Sequence, residues 1–176
     1  MSEKTRKLCI TAVGIALFVV LSLCLQVPVF ENYYLCLGYA AMAVYCYAFG
    51  AISGTAVGFF GVILYCLLIS GLRGMPGWAL GNVVIGLSLG FWFKLARRIE
   101  SGLVRSLLSA VVITAACAVG ILGVKSITES LLYLQPVILR MGKNIYAFVA
   151  DTVVLIASLP LCFLLDRYVK KLLRQK

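Results

Sequence analysis

The sequence predicts an all-α, polytopic membrane protein: a bundle of six transmembrane helices with both termini in the cytoplasm. Three observations carry that prediction. The 176-residue chain is 63% hydrophobic and 12% charged, against about 45–50% and about 25% in soluble domains. Its mean hydropathy is +1.07. Its apolar stretches fall into six runs, and six spans of about 20 residues would occupy roughly 120 positions. What remains suffices for loops and termini. Residues 1–176 are therefore expected to form one integral-membrane domain, without a second soluble domain such as an ATPase cassette.

The first span is expected over residues 8–27, behind a basic start (Met-Ser-Glu-Lys-Thr-Arg-Lys) and stopped by Pro28. It is too long for a signal-peptide core and lacks a small-residue cleavage site, so it should stay as a helix. VPVFENYY, at 27–34, reads as an interfacial loop. The second span, 35–49, meets the third, 51–70, at a tight turn near Gly50. GLRGMPG, at 71–77, is a loop by its breaker residues. The fourth span covers 78–93 and ends in the basic KLARRIESGLVR segment. The fifth covers 106–124. A mixed stretch follows, amphipathic around 131–139 and interrupted by Pro136. The sixth span covers 145–165, before a basic tail.

Charge sets the orientation. With the N-terminus inside, twelve of the 16 Lys and Arg residues lie on the cytoplasmic side; Arg73, Lys125, Arg140 and Lys143 lie outside. That asymmetry is what the positive-inside rule requires. The net charge of +10 is thus a topology signal and a contact for anionic lipid, not a nucleic-acid interface.

Several chemistries are excluded. The chain has no histidine, which removes Ser–His and Cys–His pairs and HExxH zinc sites. Its seven cysteines never form CxxC, and six lie in apolar runs, where a thiol behaves as a small hydrophobe. No metal and no cofactor is expected. With no GxxxxGK[ST] motif, the chain cannot hold nucleotide in a P-loop.

Small residues pack helices in lipid, where little hydrophobic force acts between them. Gly50, Gly54 and Gly58 form one ridge; Gly77 with Gly81, and Gly86 with Gly90, form others. Internal packing is the expected role. Ala12 and Ala16 make an AxxxA pattern in the first span, and by spacing alone they too would be internal.

The stretches LCITAVGIALFVVL, LGYAAMAVYCYAFGAISGTAVGFFG, GWALGNVVIGLSLGF and KNIYAFVADTVVLIASLPL resemble the first, second with third, fourth and sixth helices of the S components. These are the substrate-binding subunits of energy-coupling factor (ECF) vitamin transporters. The resemblance covers the whole chain. It departs at the turn, where Ala51 follows Phe49-Gly50 in place of the proline common in relatives. It implies a bacterial plasma-membrane protein that captures a water-soluble vitamin outside, of riboflavin, pantothenate or cobalamin type. It implies that Ala12 and Ala16 meet a transmembrane coupling subunit, and that two partner ATPases, not this chain, consume ATP.

Ligand candidates are the polar groups in the outer half. Asp151 is the one acid well inside a span, where a charge costs about 2.5–3.5 kcal/mol on insertion scales. Asn144, Asp151 and Ser158 recur at sevens and should share the interior face. Asp151 could bind ligand or satisfy a neighbouring helix. Asn82 could read a ring amide or tie two helices together. Trp78 could stack on ligand or belong to the interfacial aromatic belt. Asn32, Tyr33 and Tyr34 could also be belt, but the resemblance implies that this loop covers the vitamin. The four outer cations bias the mouth toward anions, with Glu31 and Glu129 as the only acids nearby.

Two other classes compete. A membrane enzyme, such as a lipid-modifying transferase, would need paired acids or a nucleophile with its base at depth, and Asp151 has no such partner in the sequence. A complete secondary transporter would show inverted repeats, which the chain lacks. A smaller transporter or channel subunit remains as the alternative.

Overall fold

The computed structural model describes residues 3–24, 27–30, 33–70 and 75–165. Helix α1 (Glu3–Cys24) leads into a two-stranded antiparallel hairpin, β1 (Val27–Phe30) and β2 (Tyr33–Leu35). Then come α2 (Gly38–Phe49), α3 (Ala51–Tyr65) with a π turn over Cys66–Ser70, and α4 (Met75–Ala96). Helix α5 (Gly102–Cys117) widens into a π segment, Ala118–Lys125, and continues as α6 (Ser126–Tyr133). Helix α7 (Val137–Ala157) resumes after Ser158 over residues 159–165.

The helices run alternately up and down. Gly14 of α1 faces Tyr45 and Val57, whereas Gly38, at the start of α2, faces Phe18 and Ser22. Helix α1 is thus antiparallel to α2 and parallel to α3. One end of the bundle carries the hairpin, and the other carries the start of α1 and the Gly50 turn.

The expected glycine ridges are packing surfaces. A Cβ on Gly90 would stand 2.2 Å from Ala51 Cα, and one on Gly54 would stand 2.6 Å from Cys46 Cα. Backbone cannot yield at such distances as a flexible side chain could. Gly50 plays another part: its φ of +91° forms the turn between α2 and α3, and no heavy atom lies within 4 Å of its missing Cβ. That backbone region favours glycine.

Five stretches of the described residues are long and apolar enough to cross a membrane: Glu3–Cys24, Ala51–Ile69, Met75–Ala96, Gly102–Tyr133 and Val137–Leu165. Helix α2, expected as a sixth span, has 12 residues, about 18 Å at 1.5 Å per residue. It is buried on nearly every side, contacting α1, α3, α4 and α7. A helix enclosed in this way reads as a continuous apolar run with no polar face.

Three expectations need correction. The 27–34 loop is a hairpin, since its Val, Phe and Tyr residues suit a pleated strand. Its register breaks between Pro28 and Phe30, where proline cannot donate to the ladder. The fifth span does not end at residue 124, because the helix continues through the π segment to Tyr133. It stops there at Leu134, whose φ of +53° is left-handed, and Pro136 caps α7. Two cysteines, Cys9 and Cys24, are exposed on α1, while the other five are buried as expected.

Candidate functional site

Two hydrogen-bonded groups of side chains lie inside the bundle toward the hairpin end. The first links α2, α3 and α4. Trp78 Nε1 donates to the Tyr39 hydroxyl at 2.9 Å, and that hydroxyl donates to Asn82 Oδ1 at 2.7 Å. Asn82 Nδ2 then donates to the Gly58 carbonyl at 3.0 Å. This orientation of the Asn82 amide alone satisfies both neighbours, since a flipped amide would face oxygen with oxygen. Tyr39 and Asn82 are fully buried. Trp78 is half-buried, with its ring edge-on to Tyr65 at 5.6 Å.

The second group centres on Glu129 of α6, which is 5% exposed. Its Oε2 accepts from Asn144 Nδ2 at 3.0 Å. Lys125 Nζ stands 4.0 Å from Oε1, and Arg140 Nη1 stands 3.9 Å from Oε2. Asn144 Nδ2 also donates to Ser126 Oγ, which donates to the Ile121 carbonyl. The Arg140 guanidinium lies over the Tyr133 ring at 4.2 Å. Both cations are drawn in, their side chains 12% and 16% exposed.

Lys125 joins the two groups. Its ammonium is 5.8 Å from the centre of the Trp78 ring, within reach of the ring's negative face. Asp151 on α7 is buried and faces both the Lys125 charge and the Tyr39 hydroxyl. The local cause is the π segment. Each residue that a π turn inserts rotates the following helix by about 100°. After the segment, Ser126 and Glu129 point inward, while Ile127, Leu131 and Leu132 point outward.

Of the residues expected from sequence, Trp78, Asn82, Asn144 and Asp151 come together here. Asn144, Asp151 and Ser158 do share the buried face of α7. Asn82 has both ends of its amide occupied by protein, so its role in this structure is to hold α3 and α4 and to orient Tyr39. Tyr33 and Tyr34 lie in β2, and the hairpin packs on α7. Asn32 and Arg73 lie outside the described residues. Lys125 and Arg140, expected among the outer cations that bias the mouth toward anions, are drawn into the cluster beside Glu129, while Lys143 is exposed.

Sequence reasoning missed Tyr39, Ser126 and Glu129. Lys125 and Glu129 are four residues apart, which places them on one helical face, but nothing in the pattern turned that face inward. Ala12 and Ala16 belong to another surface. Both are exposed, beside exposed Val13, Leu17 and Val20, and Gly14 is the residue that packs inward. The expectation that their spacing serves internal packing is therefore corrected.

The profile of the ECF-type riboflavin transporter S component matches residues 2–167. The chain is also similar to UPF0397 proteins of Lactococcus lactis. In strain NZ9000 the identity is 37% over 87 residues, covering 48% of this chain and 46% of the relative. Strain MG1363 gives the same figures, and in strain SK11 the match covers 45% of the relative. The match thus spans about half the length of these relatives.

Proposed function

The chain belongs to the ECF-type S components, which are substrate-specific membrane subunits of transporters and not enzymes, and on that premise we propose a substrate and a site for it. The substrate is a water-soluble vitamin of riboflavin type, captured at the hairpin end of the bundle. The observation that supports this is the buried cluster of Trp78, Tyr39, Lys125, Glu129 and Asp151. Its formal charges cancel, because Lys125 and Arg140 are matched by Glu129 and Asp151. A cluster whose formal charges balance favours a neutral, flat heterocycle with donors and acceptors along its edge over an anion such as pantothenate. The four outer cations do not act as an anion trap in this reading, since two of them already have acidic neighbours.

S components work with a coupling subunit and ATPases. In our reading the exposed Ala12–Ala16 face meets the coupling subunit, and two ATPases supply the energy. The chain contributes no cofactor. It sits in the bacterial plasma membrane with the hairpin end outside and α2 serving as the sixth, shortened span. The positive-inside asymmetry supports that orientation. The hairpin, carrying Tyr33 and Tyr34, covers the vitamin from outside.

Riboflavin titrated into the detergent-purified chain tests the reading through quenching of flavin fluorescence. Saturable binding by the native chain is expected. Asp151→Asn should weaken it about tenfold or more, the order expected when a desolvated hydrogen bond to a charged group is lost. Asn82→Ala should chiefly lower the unfolding temperature of the ligand-free protein. No saturable binding would reject riboflavin as the substrate. Unchanged affinity in Asp151→Asn would remove that residue from the site.

A further inference from the structure

At the opposite end of the bundle lies a groove of about 540 Å³, outside the cluster described above. The Gly50 turn forms one wall, with Tyr47, Phe49 and Ile52, and the end of α4 with the residue that follows it forms the other, with Phe91, Lys94 and Arg97. The groove is two-natured. Ile52 is 85% exposed and Phe91 is 63% exposed, while Lys94 and Arg97 bring two positive charges to its rim. Among the described residues neither cation is in an ion pair. Glu100, three residues beyond Arg97, does not line the groove.

Arg97 is not a loose surface side chain. Its guanidinium donates to the Tyr47 carbonyl and lies over the Tyr47 ring at 4.9 Å. That ring is held in turn against Phe93 and Phe163. One of the two charges is therefore fixed in place before any ligand arrives, which lowers the ordering cost of binding an anion. Arginine presents five donors, and the bond to Tyr47 leaves others for a phosphate. Lys94, three residues earlier on α4, stands on the same side of the helix.

We propose that this groove binds one anionic phospholipid, with its phosphate held between Lys94 and Arg97 and an acyl chain lying along Ile52 and Phe91. The chemistry of both parts is required. A free phosphate would leave the apolar wall in water, and a zwitterionic lipid would bring a cation toward two others. Arginine is suited to the phosphate by its planar fork, and lysine adds a point charge. Because the lipid would touch both the α2–α3 turn and α4, it would brace the bundle at the end away from the vitamin site.

The test is native mass spectrometry of the 176-residue chain released from detergent micelles. Phosphatidylglycerol, phosphatidylcholine with the same acyl chains, and glycerol phosphate are titrated in separate arms. One phosphatidylglycerol should stay bound at collision energies that strip phosphatidylcholine, and glycerol phosphate should give no retained adduct. Lys94→Glu should reduce the phosphatidylglycerol adduct at least tenfold. Lys94 is exposed, so this variant should fold, and an unchanged unfolding temperature in the absence of lipid checks that it does. Arg97→Gln should reduce the adduct further. Equal retention of the two lipids, binding of glycerol phosphate alone, or an adduct insensitive to Lys94→Glu would each overturn the proposal. The last of these, together with protection of the groove in the assembled transporter, would assign it to a protein partner instead.

Discussion

Ala12→Trp, and independently Ala16→Trp, is expected to abolish vitamin uptake by the assembled transporter while leaving vitamin binding to the isolated subunit intact. Both alanines lie on the exposed side of α1. Small side chains there make a flat strip on which another helix can approach closely, and in lipid such close approach is a main source of helix association. An indole on that strip would hold the partner off. The proposed vitamin site lies on the other side of α1, where buried Phe18 meets the Tyr39 ring edge-on at 6.0 Å, whereas Ala12 and Ala16 face outward. Uptake into proteoliposomes reports coupling, and ligand titration of the purified subunit reports binding. Gly14→Trp is the contrasting variant, since a Cβ there already meets the Tyr45 ring at 2.6 Å. It should unfold the bundle and lose both activities. If Ala12→Trp behaved like Gly14→Trp, the exposed face would not be the docking face.

Glu129→Ala is expected to cause the largest loss of stability among the cluster residues. Glu129 is the acid nearest to two cations that are themselves mostly buried, and it accepts a hydrogen bond from Asn144. Removing one member of a buried ionic group typically costs about 3–5 kcal/mol, because the opposite charge is left uncompensated. Among the described residues, Lys125 would then keep Asp151 as its nearby acid, and Arg140 would keep the Tyr133 ring. Glu129→Gln retains an acceptor for Asn144 but not the charge, so it should fall between native and alanine variants. Thermal unfolding in detergent measures the series. A loss of less than about 1 kcal/mol for the alanine variant would mean that the cations are hydrated in the manner of a surface pair. Vitamin affinity should fall in parallel, because Lys125 would no longer be held beside Trp78.

The long apolar runs made the bundle legible in the sequence, since length and hydropathy are properties of each run by itself. The cluster was legible only in part, and the reason is physical. Asp151 and Asn144 stood out because a polar group in an apolar run is costly unless satisfied. Tyr39 did not stand out, because α2 is apolar on every side and its tyrosines resemble filler until the hydroxyl is seen between Trp78 and Asn82. Lys125 and Arg140 fell where cations normally meet headgroups. Only the π segment, which leaves no clear trace in composition, turned their neighbourhood inward. AxxxA spacing suits an interior face as well as an exterior one, so the outward direction of Ala12 and Ala16 had to come from the structure.

The distribution of thiols has a practical consequence. Five cysteines are closed off within the bundle, and the two exposed ones, Cys9 and Cys24, stand toward opposite ends of α1. Fifteen residues of helix separate them, about 22 Å, a large fraction of the roughly 30 Å hydrocarbon layer. The native chain therefore carries its own ruler across the bilayer. Spin labels or fluorophores attached to these two sulfurs, without any engineered cysteine, would report the tilt of α1 from the membrane normal, and any rocking of the whole bundle during a transport cycle would register as a change in the depths of the two probes.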